Sequence, residues 1–425
     1  MEKATTDEPT NFIQFGCWNN INKEGCLEKV MSKLNEYVSD FKQDFIVVTG
    51  DNYYPQKEKK KEKEKDKNKD KNKDKDKKTE IVDGEPIIKK KEKVDEEIEP
   101  VIEKKKIIVL NDIDYGFQLL PKNISIYTIL GNHDLERFDE DKKNLFVDDP
   151  DVSRREENRR CEIVTKQIET INKLPNISYN FFKSVNLANN TLLLMVDTSI
   201  YEKTKDSNKY LACYQKFAEL KPLELPSEET TTIDMLRAYQ FKLIQAAISS
   251  GNYSNIIIAG HHPIQQLKLK NGIDKIFTDI EDFKVVLSQI YDLCKSELIP
   301  NFYYLCSDLH LYQEGTIHLP VNTGIMEIKQ YIVGTGGTEL DPMPLGNSGN
   351  DIYNDITSIK ECGFLACDVT GSKPIFTFIH VTLAAPLTTA EANDFSGGKR
   401  KRRSKKYKYG TRRRRRNTRK KHKKR

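Results

Sequence analysis

Five short strings carry most of the side chains in this sequence that could bind a cation or move a proton. They are GCWNN from Gly16, GDNYYP from Gly50, GNHD from Gly131, GHHP from Gly260 and SDLH from Ser307. Asp51, Asn132 and Asp308 offer hard oxygen donors, and His133, His261, His262 and His310 offer imidazole nitrogens. Tyr54 adds a phenol and Cys17 a thiol. Such mixtures suit metal-assisted or acid–base chemistry. Each string alone has a plainer reading. Asp51 and Asn52 can form an Asx turn, Asn132 to Asp134 a helix N-cap, and Tyr53 and Tyr54 can be packing aromatics. Yet four of the seven histidines fall inside the strings, a concentration that separate plain readings do not explain.

Apolar runs precede the strings. FIQFG leads to Cys17, DFIVVTG to Asp51, SIYTILG to Asn132, NIIIAG to His261 and FYYLC to Ser307; a sixth run, NTLLLMV, ends at Asp197. Runs of this length, rich in Ile, Val, Phe and Tyr, predict buried strands. Helix-compatible stretches lie between them at 25–41, 232–249 and 280–298, the first with apolar Leu27, Val30, Met31, Leu34, Tyr37 and Val38. The alternation predicts an α/β architecture. Polar residues placed just past strand ends are where open α/β sheets put their sites.

Composition bounds the rest. The chain has 425 residues and a hydrophobic fraction of 37%, low for its length. Two biased segments explain much of that. Nearly every residue from Lys57 to Lys78 is Lys, Glu, Asp or Asn, and residues 399–425 hold 19 Lys or Arg and no acid. Neither can bury enough apolar surface to offset chain entropy, so both are expected to be disordered. With +19 in the tail and +6 overall, the remainder is acidic by about −13. The predicted organisation is a disordered N-terminus at 1–10, one domain at 11–395 interrupted by a charged spacer at 57–106, and a basic tail at 396–425.

The tail clusters, Lys399, Arg400, Lys401, Arg402, Arg403 and Arg412, Arg413, Arg414, Arg415, Arg416, suit nucleic acid or another polyanion, and KRKRRSKK resembles a nuclear-localisation signal. The N-terminus lacks an apolar signal core, and no window has the roughly 18–20 apolar residues of a membrane span. The expectation is therefore an intracellular protein, and the eight scattered cysteines are expected to be reduced thiols.

Taken in order, the strings resemble the calcineurin-like metallophosphoesterase superfamily. The Trp of GCWNN, the tyrosines of GDNYYP and the segment YYLCSDLHLYQ bring the chain nearest to the purple, or tartrate-resistant, acid phosphatases. MVDTSIY and YIVGTGGTELD are lesser echoes, and the resemblance spans roughly residues 11–385 without the insertion. It implies a β-sandwich flanked by helices and hydrolysis of a phosphomonoester by a metal-bound hydroxide at a binuclear site. The cofactors implied are two metal ions, iron with zinc, manganese or a second iron. Asp51 would bridge them, with Tyr54 and His310 at the first ion and Asn132 and His261 at the second. His133 would be the general acid or hold the phosphate, Asp134 would orient it, and His262 would contact substrate.

The chain also departs from the family pattern. Cys17 stands where a carboxylate is expected, Ser307 where a glycine is, and Asp308 where a metal-binding histidine is. Both Cys17 and Asp308 remain competent ligands. The alternative is a catalytically weakened scaffold that binds nucleic acid or a partner through its tail.

Overall fold

The apolar runs become strands in the order their pattern predicts. The computed structural model describes residues 8–21, 25–54, 113–135, 161–203, 210–294, 299–322, 324–346 and 348–381. The charged spacer at 57–106 and the basic tail, with all of the residues singled out in it, lie outside the described residues. In chain order the first strands are β1 (Asn11–Phe15), β2 (Phe45–Val48), β3 (Ser125–Thr128), β4 (Ile177–Tyr179), β5 (Phe182–Leu187), β6 (Thr191–Val196), β7 (Asn255–Ala259) and β8 (Gln266–Lys270). The others are β9 (Ile273–Phe277), β10 (Asn301–Cys306), β11 (Tyr312–Val321), β12 (Gly324–Val333), β13 (Tyr353–Ile359), β14 (Cys362–Asp368) and β15 (Ile375–Val381). The helices are α1 (Leu27–Asp40), α2 (Glu162–Ile171), α3 (Leu211–Leu220), α4 (Ile233–Ile248) and α5 (Phe283–Leu293).

Two mixed sheets form the expected α/β architecture. One runs β15-β14-β1-β2-β3-β4 and the other β13-β11-β12-β10-β7-β6-β5, with β8-β9 as a separate hairpin. Each sheet contains a parallel run: β1, β2, β3 and β4 in the first, and β6, β7, β10 and β12 in the second. Its strands are buried along their whole length in β2, β6 and β7, as continuous apolar runs require when both faces are covered. Helix α1 buries Leu27, Val30, Met31 and Leu34, one helical stripe, and packs on β14 and β15. On the other sheet α4 packs on β5 and β6. It starts where Thr232 caps it, the hydroxyl accepting from Met235 N at 3.1 Å. No helix among the described residues is long and apolar enough to cross a membrane.

The first three strand-end loops are held to each other by buried polar groups. Asn52 donates Nδ2 to Ile129 O at 2.9 Å and to Asp134 Oδ2 at 2.9 Å, while its Oδ1 accepts from Trp18 Nε1 at 3.2 Å and Thr128 Oγ1 at 2.8 Å. Asp134 also accepts from Asn52 N, Gly131 N and Gln167 Nε2, each at 2.8 Å. Both carboxylate oxygens thus accept from donors of Asn52, Gly131 and Gln167, which ties the loop after β3 to the loop after β2 and to α2. Burial and the Asp51 charge push the Asp134 carboxyl up to about 7, against the opposing pull of the hydrogen bonds from Gly131, Gln167 and Asn52. Trp18 is fully buried, edge-on to Phe15 and Phe117.

The cysteines correct an expectation. Cys26 is bonded to Cys362, joining the start of α1 to β14, and Cys161 to Cys213, joining α2 to α3. Cys17, Cys294, Cys306 and Cys367 are free. Partners 336 and 52 positions apart leave no local spacing signal, so the pairing had to come from the fold.

Two measurements check these supports. Asp134→Ala strands four buried donors and should destabilise the protein by roughly 3–5 kcal/mol in denaturant unfolding; a loss below about 1 kcal/mol would show the clasp to be dispensable. Alkylation of the denatured, unreduced protein should label four of its eight cysteines by mass, and Cys362→Ser should cost about 2–5 kcal/mol.

Candidate metal centre

Three of the strand-end turns share one uncommon backbone conformation. Cys17 and Asp51 have φ of 52° and Asp308 has φ of 47°, the left-handed region that costs a non-glycine residue about 1–2 kcal/mol. Gly50, at φ 85°, prepares the Asp51 turn, and a Cβ there would lie 2.7 Å from Gly131 N and 2.8 Å from His261 Nδ1. Gly131 is equally constrained, since a Cβ would collide with the Asp51 carboxylate. The glycines of GDN and GNHD therefore let two loops from adjacent strands meet.

Asp51, fully buried, lies between two groups of donors. On the Oδ2 side are Tyr54 OH at 2.7 Å and Cys17 Sγ at 3.6 Å, with His310 Nε2 3.0 Å from the Tyr54 hydroxyl. On the Oδ1 side His261 Nε2 is at 3.3 Å, itself 3.0 Å from Asn132 Oδ1 and 3.9 Å from Asp308 Oδ1. Ligand atoms of Cys17, Asp51 and His310 all lie within 4.8 Å of one another, and so do those of His261, His262 and Asp308. All seven residues expected to bind metal thus come together from both sheets. The donor set suits two cations: a shared carboxylate, then sulfur, phenol and imidazole on one side, and imidazole, amide and carboxylate on the other.

Electrostatics point the same way. Burial disfavours a charge on His261 and holds it below its usual range. Its Nδ1 donates to Thr49 O at 2.7 Å, which leaves the Nε2 lone pair facing Asp51 and Asn132. Burial, and then the Asp51 charge, push the Cys17 thiol and the Tyr54 phenol well up. A cation would displace these protons. His133 donates its backbone N–H to Asp51 Oδ1 at 3.0 Å, and its ring lies 4.7 Å from that of Tyr54.

Both ring nitrogens of His262 have protein partners. Its Nδ1 meets Thr198 Oγ1 at 3.0 Å and its Nε2 meets Glu202 Oε1 at 3.1 Å. Burial opposes a charge on this ring, and the Glu202 hydrogen bond and carboxylate outweigh it, raising the imidazole to about 9. Thr198 Oγ1 also accepts from the backbone N–H of His261 and His262, each at 3.0 Å. Thr198 and Glu202 belong to the segment that begins MVDTSIY, noted as an echo but with no role attached. Ser307, in the place of a glycine, donates Oγ to Thr49 O at 2.6 Å and lies 3.1 Å from His261 Nδ1, fitting against Gly16, where a Cβ would clash with it.

Beside the His261 side opens a cleft of about 260 Å³, lined by Asn132, His262 and Asp308 from the expected set and by Glu202, Lys203, Lys268 and Asp279. Neither lysine lies in a motif, and no sequence signal marked them.

The calcineurin-like phosphoesterase family matches residues 10–288, so the match ends before Asp308 and His310. Among solved structures, GAP50, the anchor in the inner membrane complex of Plasmodium, is similar at 11% identity over 90% of this chain and 88% of that chain, with a TM-score of 0.42. PhoD is similar at 11% identity over 89% and 70%, with a TM-score of 0.47. The phosphopantetheinyl hydrolase PptH from Mycobacterium tuberculosis is similar at 11% identity over 81% and 99%, with a TM-score of 0.29. No curated protein matches the chain. With two thirds of its length matched and the family's strand-end residues gathered around Asp51, the chain belongs to the calcineurin-like phosphoesterase family.

Proposed function

We propose that the chain is a metal-dependent phosphatase of acid-phosphatase type, acting on phosphomonoesters at a binuclear centre. The observation that carries this reading is the Asp51 carboxylate, whose two oxygens face two different donor groups. In this reading Cys17, Tyr54, His310 and Asp51 would hold one ion, and Asp51, Asn132, His261 and Asp308 would hold the other. Iron with zinc, manganese or a second iron is the pair we favour, because a phenol donor suits Fe(III). Bound there, two cations would polarise the phosphoryl oxygens and activate water.

The chain's own residues supply the remaining steps. His133, fixed through its backbone N–H on Asp51, gives a proton to the leaving oxygen. His262 faces the cleft and adds positive charge where the phosphoryl group would enter, while Glu202 and Thr198 fix its ring. Thr49 O and Ser307 Oγ hold His261 in the tautomer whose Nε2 is available to a cation.

Metal analysis after reconstitution should find two equivalents of transition metal, and less than half an equivalent would sink the binuclear reading. If Fe(III) sits beside Tyr54, the protein should be coloured, and Tyr54→Phe should abolish the band.

Residue roles separate in a second experiment with p-nitrophenyl phosphate. Asp51→Asn should lose turnover and metal together. His133→Ala should keep both metals while the rate falls by roughly 10² to 10⁴, the usual contribution of a general acid. Equal metal loss in both variants would refute the role given to His133. Full metal loading without turnover in the unaltered protein would favour a scaffold that has lost its activity.

A further inference from the structure

We propose that Lys268, assisted by Lys203, forms a subsite for a second anionic group on the substrate. The favoured esters would then carry a carboxylate or phosphate on the leaving group, close to the ester oxygen. This rests on the phosphoesterase reading and names a substrate class for that site.

The hairpin β8-β9 brings Lys268 to the cleft by simple alternation. Leu267 is buried, whereas Gln266 and Lys268 share the opposite face of β8. Gln266 Nε2 lies 3.3 Å from Asp308 Oδ2 and 3.2 Å from Asp279 Oδ2, which sets that face against the site. Lys268 Nζ follows at 3.8 Å from Asp308 Oδ2, too far for a hydrogen bond, with its side chain 34% exposed. An ammonium has three donors. A single loose ion pair leaves them largely unused by the protein.

The carboxylates in the cleft have partners of their own. Glu202 is held by His262 Nε2 at 3.1 Å and by Tyr210 OH at 3.2 Å. Asp279 is held by Gln266. Asp308 is the partner Lys268 does have, and in the phosphoesterase reading that carboxylate turns its charge to a cation. Lys268 is then left as a cation facing the cleft. Lys203, directly after Glu202 in sequence, lines the same cleft and is exposed. Two ammonium groups lining the cleft would do nothing for a neutral leaving group. An anionic one lets them form charge-assisted hydrogen bonds.

The test compares phosphoglycolate, whose leaving group carries a carboxylate, with ethyl phosphate, whose leaving group is neutral. The metal-loaded full chain is used, with kcat/KM measured for both esters and equilibrium binding of both measured by calorimetry. The two alcohols differ in basicity, so the readout is the change in the phosphoglycolate-to-ethyl phosphate ratio between variants. Lys268→Ala should lower that ratio about tenfold or more, chiefly through KM, as expected for one lost charge-assisted contact. Lys268→Arg should retain most of it, and Lys203→Ala should lower it by a smaller factor. A ratio unchanged in Lys268→Ala and in the double variant would overturn the subsite, and hydrolysis of both esters in that case would leave the phosphatase reading standing. Conversely, Lys268-dependent binding of phosphoglycolate without hydrolysis of either ester would support the subsite and refute the phosphatase reading. Binding of neither ester would overturn the subsite as well.

Discussion

A fully buried carboxylate in a left-handed turn is an unfavourable thing for a chain to build, and the arrangement of the centre depends on one. Asp51 has no solvent around it, a φ of 52°, and two oxygens that each need partners. Such strain persists where the surroundings over-determine it. Here they do. Gly50 and Gly131 remove the Cβ atoms that would block the turn, and His133 N and Tyr54 OH donate to the carboxylate. Behind it, Asn52 and Asp134 lock the loops after β1, β2 and β3 into one unit. The parallel order of those strands, and of β6, β7 and β10 facing them, brings the same ends of both sheets to one place.

The departures from the family pattern are accommodated locally. Ser307 is larger than the glycine it replaces, yet Gly16 leaves room for it and its hydroxyl finds Thr49 O. Cys17 adopts the left-handed conformation seen at Asp51 and Asp308, which places a thiol 3.6 Å from the shared carboxylate. Asp308 brings a charge where the resemblance implies a neutral ring. Burial opposes its ionisation, and Lys268, with the neighbouring histidines, more than offsets that, holding the carboxyl well below the usual range. The two donor groups consequently differ in character, one containing sulfur and phenol and the other nitrogen and oxygen. Softness and charge would let them discriminate between cations.

Much of this could be read from the chain alone. Strand positions followed from apolar runs such as FIVV and NIIIA, because a strand buried on both faces must be apolar throughout. The candidate residues followed from their place just past those strands, and their assignment as ligands from the family resemblance. Helix α4, Ile233–Ile248, falls within the helix-compatible stretch at 232–249. What local patterns could not carry was any relation between distant segments. Asp134 and Asn52, 82 positions apart, tie two loops together, a contact that no local spacing marks. Cysteines that looked scattered proved to be paired across 336 and 52 positions.

The sequence by itself therefore determined the α/β alternation and the residue types offered at each strand end, since both are set by short-range periodicity and composition. Tertiary structure alone decided which oxygen of Asp51 faces which donors, that Glu202 and Thr198 occupy both nitrogens of His262, and that a hairpin lysine stands beside Asp308. Those are contacts between segments brought together by sheet order. Chain distance carries no record of them, because packing rather than local spacing selects the partner.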